Sequence, residues 1–180
     1  MNDMLNHAEV AVKRKLDGEL LLKKILFIVL YIALALGIFA VCFKTKFVQI
    51  GALIPLAVWA LAFLTWRYTE IEYEYIVSSG ELTLHTIYGN RTRKKNLEIK
   101  LKDISRIAPY DDAGRAKLAG MQIKTVFNAT KSKDSPNTYY AIFDTPKSGK
   151  AVLLFEGDPK ALRIMRFYNP LTVIGDNMKS

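Results

Sequence analysis

Few side chains here have the type and spacing that do chemistry. The two histidines, His7 and His85, stand far apart, and neither has a cysteine or second ligand at metal-binding spacing. Each reads as an ordinary polar residue. The single cysteine, Cys42, lies inside an apolar run, which excludes an intrachain disulfide framework and a cysteine zinc site. No glycine-rich phosphate loop and no serine nucleophile elbow occurs. Glu70, Glu72 and Glu74 alternate as the watered face of a strand does, and Asp111-Asp112 is a loop pair with no nameable partner. Without a positioned base, nucleophile or metal, the expectation is no enzyme, no catalytic residue and no cofactor.

The cations form the remaining candidate. Arg91, Arg93, Lys94 and Lys95 crowd one predicted turn, residues 88–95. Net charge is +9, divided as +1 over residues 1–24, +2 over 44–46 and +6 over 67–180. A basic excess serves either nucleic acid or an anionic membrane surface. No recognition helix is evident, so nucleic acid is not expected. Beside an anionic leaflet each such cation contributes about 1 kcal/mol.

The membrane is implied by the elements that must position these residues. Two uncharged apolar runs, 25–43 and 47–66, are separated only by Lys44-Thr45-Lys46. Each has the roughly 18 or more residues that a bilayer-crossing helix needs. The pair predicts a two-helix transmembrane hairpin. A cleaved signal peptide is not expected, because the first run is followed at once by the second. Lys13, Arg14, Lys15, Lys23, Lys24 and Arg67 outweigh Lys44 and Lys46, placing both termini in the cytoplasm. Lys23, Lys24, Trp66, Arg67 and Tyr68 mark the inner interface. Residues 1–24 read as a basic amphipathic segment. A helix capped by Asp3, with Leu5, Ala8, Val12 and Leu16 on one face, ends at Asp17-Gly18.

From Thr69 the period changes from 3.6 to two. Ile71, Tyr73, Tyr75 and Val77 alternate with glutamates, and Ser78-Ser79-Gly80 and Gly89-Asn90 signal turns. Leu82 and Leu84 begin a second strand between those turns, and later runs at 97–101, 104–107, 121–127, 139–143 and 151–155 complete seven short antiparallel strands, with polar loops at 110–119 and 128–137. Asp158-Pro159 starts a closing helix, whose stripe is Ala161, Leu162, Met165 and Tyr168, and Asn169-Pro170 ends it. The domain plan is therefore 1–24, a hairpin over 25–66, a mainly β domain over 67–168 and a tail over 169–180. The β domain is expected as a seven-stranded partly open barrel or sandwich covered by its helix.

This order resembles the bacterial pleckstrin-homology-like (PH-like) membrane proteins, and small membrane proteins of Gram-positive anaerobes with the same layout. The segment from Tyr75-Ile76-Val77 through Glu81-Leu82, the basic hairpin, and Leu101-Lys102-Asp103-Ile104 are similar to how those domains begin. Phosphoinositide-binding pleckstrin domains carry cations in the first hairpin loop. Here that loop is Ser78-Ser79-Gly80-Glu81, so the resemblance does not transfer that lipid site.

A short tether has a geometric consequence. If the first strand climbs from the bilayer and the second returns, the 88–95 turn faces the headgroups. Loops 109–119 and 145–149 then bring Arg115, Lys117 and Lys147. The expectation is a non-catalytic, multi-pass module on the cytoplasmic face of the cell membrane. It touches anionic phospholipid and recruits a protein partner, as a scaffold does. The alternative is an accessory subunit or chaperone of a membrane transport, secretion or envelope-assembly complex, contacted through the hairpin itself.

Overall fold

A computed structural model describes residues 6–16, 18–45, 48–89, 91–132, 135–146 and 149–174. The chain divides into two compact units. One is Lys15–Ile71 with Tyr88–Thr92; the other is Met1–Arg14, Glu72–Ile87 and Arg93–Ser180.

The first unit is helical. Helix α1, Gly18–Lys44, is the one helix among the described residues long and apolar enough to cross a bilayer. Only 6% of its most apolar stretch is buried. The second apolar run corrects the expectation of a second continuous span. It breaks into α2, Val48–Gly51, and α3, Ile54–Thr65. The cause is Pro55. Inside a helix its ring would clash with the carbonyl four residues back and its missing N–H would cost a bond. The helix therefore restarts with proline in its first turn, where neither penalty applies. At 1.5 Å per residue α3 is roughly 18 Å long, short of a hydrocarbon core of about 30 Å. Thr65 Oγ1 donates to Leu61 O at 2.6 Å and accepts from Tyr31 Oη, pinning the end of α3 to α1. A 3₁₀ turn, Trp66–Thr69, leads out.

The second unit holds two four-stranded sheets. Strands β1 (His7–Lys13), β2 (Ile71–Ser78), β3 (Glu81–Tyr88) and β4 (Thr92–Lys100) form one in that order. The other is ordered β5 (Ile104–Pro109), β7 (Thr138–Thr145), β8 (Gly149–Glu156) and β6 (Thr125–Ala129). Strand β1 overturns the expected N-terminal helix. His7–Lys13 pairs antiparallel with β2, Val10 opposite Tyr75 and Val12 opposite Tyr73. Ala8 and Val12 are buried, a spacing of four that suits a helix face and a strand face alike. The open edge of β2 decides, because only a strand can satisfy its unpaired N–H and C=O groups. The expected Asp3, Leu5 and Asp17 positions lie outside the described residues.

Among the described residues eight strands thus replace the expected seven, and they are not all antiparallel, since β6 runs parallel to β8. The sheets share one core. Tyr75 meets Phe155 edge-on at 5.4 Å and donates its hydroxyl to Glu156 O at 2.6 Å. The expected loop at 110–119 is largely a helix, α4 (Asp112–Ala119), capped by Asp111, whose Oδ1 accepts from Gly114 N at 2.7 Å. Leu118 packs with Ala108, Tyr140, Ile142 and Val152. That second cover explains why β7 and β8 are apolar on both faces.

Helix α5, Pro159–Tyr168, starts as read: Asp158 Oδ1 accepts from Ala161 N at 2.8 Å, with proline in the first turn. It buries Ala161, Leu162, Ile164 and Met165. Asn169 Nδ2 then donates to Leu101 O (2.8 Å) and Ile104 O (3.0 Å), tying the helix end to the start of β5. Part of the expected tail is also ordered onto β5, where Ile107 N donates to Thr172 O and Ile174 N to Ile107 O, each at 2.8 Å.

Candidate functional site

The densest meeting of cations and aromatic rings is in the helical unit, around the tip of the β3–β4 hairpin. Gly89 has φ +54°, and a Cβ there would lie 2.6 Å from Arg67 Cβ and 2.8 Å from Arg67 Cα. Glycine alone permits so close a turn. Gly89 N donates to Glu70 O at 2.9 Å, fastening the tip to the segment leaving α3. Tyr88 and Tyr68 rings lie 6.3 Å apart. The Arg91 guanidinium sits 3.9 Å from the centroid of Phe63, a cation–π contact. Trp59, Ala62 and Phe63 of α3, Trp66 and Arg67 of the 3₁₀ turn, and Arg91 line a cleft of about 310 Å³.

Within it Arg67 Nη2 donates to Tyr68 Oη at 2.9 Å, while Arg67 Nε is buried with no acceptor among the described residues. Lys24 Nζ lies 4.6 Å from the Trp66 ring centroid, and Lys23 points to solvent. The interface residues expected from sequence are therefore gathered around Trp66, except Lys23.

The other expected cations are scattered, and several have partners. Arg93 pairs with Glu74, whose carboxylate is also 3.9 Å from His85 Nδ1. Glu74 is 6% exposed, so the reading of Glu70, Glu72 and Glu74 as one watered face fails at its third member. Burial, then the hydrogen-bonded Glu9 carboxyl, raises Glu74 above the ordinary carboxylate range against the pull of Arg93. Burial, with Arg93 and Lys95 nearby, lowers His85 below its usual value. Lys95 Nζ donates to Glu98 at 2.8 Å and holds that carboxylate low. Lys94 is exposed and has no ion pair among the described residues.

Arg115 lies over Tyr110 at 5.3 Å. Lys117 lines a separate cleft of about 430 Å³ between β5, α4 and the segment after α5, together with Arg106. Lys147 lies outside the described residues. The turn between β2 and β3 holds Ser79 and Gly80 at positive φ, a tight hairpin without a cation. Among the described residues no group of three His, Cys, Asp or Glu side chains could hold a metal.

Two facing sheets closed by a C-terminal helix, accompanied by an apolar helix of membrane length, define a PH-like domain with a membrane-type segment. The chain belongs to the bacterial PH-like domain family (DUF6106), which matches residues 2–175. The match takes in β1 and the apolar helices as well as the sheets. No curated protein and no solved structure matches the chain. PH-like domains are generally interaction modules and not enzymes.

Sequence reasoning grouped Arg91 with Arg93, Lys94 and Lys95 because they are neighbours in the chain. It missed Trp59, Phe63 and Glu70 as neighbours of Arg91. The available signal was the aromatic residues Trp59, Phe63 and Trp66 gathered toward the end of the second apolar run. Arg106 gave no signal. It is aimed by a register shift between Ile104 and Arg106, which tertiary pairing with β7 creates.

Proposed function

We propose that this protein is a membrane-anchored, non-catalytic interaction module on the cytoplasmic face of a bacterial cell membrane. In this reading residues 25–66 hold it in the bilayer as a multi-pass hairpin, α1 crossing whole and α2 with α3 returning as a broken second leg, and residues 67–168 form the working domain. The hairpin tip contacts anionic phospholipid, and the sheets recruit a protein partner. The single observation carrying the reading is that apolar α3 buries none of its residues yet ends in a cluster of arginine and aromatic side chains. Trp59 is 63% exposed and Leu56 62%, which water would not tolerate along a whole helix. Such a helix needs lipid or a partner around it, and interfacial aromatic and basic residues belong at its headgroup end.

Ion pairing sharpens the lipid contact. Arg93 and Lys95 already face Glu74 and Glu98, so Arg91 and Lys94 carry most of the attraction. Arg115, Lys117 and Lys147 are secondary contacts in this reading. The test is amide exchange at the 88–95 turn of the full chain in nanodiscs, with and without phosphatidylglycerol. Exchange slows with the anionic lipid, and changing Arg91, Arg93, Lys94 and Lys95 together to serine abolishes the difference. Identical exchange in both lipids would end the proposal.

The same uncovered helix favours a second reading, an accessory subunit or chaperone of a membrane transport, secretion or envelope-assembly complex. Crosslinks to a protein from α3, and none from the sheets, would select it.

A further inference from the structure

We propose that the cleft beside the end of α3 is a site for one zwitterionic aminophospholipid, of the phosphatidylethanolamine type. The inference rests on the membrane reading above and names the ligand of that region. Three features specify the chemistry. Arg67 Nε is a buried donor without an acceptor, and Arg91 presents a second guanidinium held over Phe63. Unpaired buried donors are costly, and guanidinium groups match phosphate oxygens in geometry and charge. A phosphodiester satisfies both.

The walls contributed by Trp59, Ala62 and Phe63 are apolar and continue along the uncovered surface of α3. They suit a glycerol backbone and acyl chain, not a free phosphate. The third feature is Glu70. The residue lines the cleft, and its carboxylate makes no ion pair among the described residues. Guanidinium groups beside a carboxylate complement a headgroup that carries both a phosphate and an ammonium. A headgroup without an ammonium would leave the Glu70 carboxylate unpaired beside the phosphate; an ammonium would hydrogen-bond to it. The volume of about 310 Å³ is at the lower end for a small-molecule site, and fits a headgroup with its acyl chains lying outside.

The test is native mass spectrometry of the full chain. The protein is released at high salt from nanodiscs of equimolar phosphatidylethanolamine and phosphatidylglycerol. One phosphatidylethanolamine stays bound per chain. Arg67→Gln and Arg91→Gln each cut retention about tenfold, the loss expected for one charge-assisted bond. Glu70→Gln instead shifts retention toward phosphatidylglycerol, a change of preference that a misfolded protein would not show. Water-soluble glycerophosphoethanolamine leaves the lipid in place.

Equal retention of both lipids by the unaltered chain, or full retention in both arginine variants, would overturn the site. Displacement by the soluble headgroup would overturn the lipid assignment in favour of a free phosphoester. The anionic contact proposed above is read separately, by exchange at the turn. A response there with no retained lipid rejects this site alone, and retained lipid with no response rejects the anionic contact alone.

Discussion

At the scale of single residues, the informative positions are those whose neighbours change their chemistry. His85 would be unremarkable on an open strand. Partly buried, and beside Arg93 and Lys95, it resists protonation. A histidine that titrates below its ordinary 6.5 binds fewer protons folded than unfolded. Stability is therefore complete above that pH and declines as pH falls through it. Glu74 has the opposite sign, because its raised carboxyl holds a proton more tightly in the folded state. That contribution is present at low pH and is lost as pH rises above the ordinary 4.5. Thermal unfolding followed downward from neutral pH should show a falling midpoint, and His85→Gln should flatten the first part of that fall. An unchanged slope in the variant would contradict the role given to His85. None of this was legible in the sequence. The glutamate stripe and the histidine were visible, but the packing that buries Glu74 depends on β1, whose place beside β2 follows from pairing across some sixty residues.

At the scale of elements, local signals succeeded where the physics is local. Helix α5 was legible from end to end, because Asp158, Pro159 and Asn169 act within one turn of themselves. Asp158→Ala should cost about 1 kcal/mol, the usual value of an N-cap, measured by denaturant unfolding. Leu162→Asp is harsher. Leu162 is 4% exposed, and an unpaired charge there costs on the order of 3–5 kcal/mol. The β unit should lose its near-ultraviolet dichroism while the chain still fractionates with membranes. A normal melt would remove α5 from the core.

Elements settled by distant partners were not legible. The 7–13 segment carries helix and strand periods at once, and α4 was hidden in a polar stretch whose one cap, Asp111, looks like any loop aspartate. The break in the second apolar run was available in Pro55, but composition over the whole run outweighed one residue.

At the scale of the molecule, the dominant feature is a partition of solvents. The helical unit shows water or lipid a surface of leucine, isoleucine, phenylalanine and tryptophan, whereas the β unit buries its apolar residues between sheets and under helices. After gentle lysis and high-speed spinning the full chain should pellet with membranes, resist carbonate and high salt, and enter solution only with detergent. Recovery in the supernatant without detergent would refute the anchored reading. The family match spans both units, so the pairing of apolar helices with sheets is a property of the family and not an accident of this chain.

The sequence by itself determined that the first apolar run is long enough for a bilayer, that a β-rich PH-like domain follows, and that α5 begins and ends where it does. Each is a property of composition or of residues within a few positions of one another. Only the tertiary structure decided that residues 7–13 are a strand, that β6 runs parallel to β8, and that Arg91 lies on Phe63 beside an unsatisfied Arg67. Strand edges choose partners by hydrogen bonding across long loops. Side chains distant in sequence share a cleft only after the backbone has brought them together, and no local period records that event.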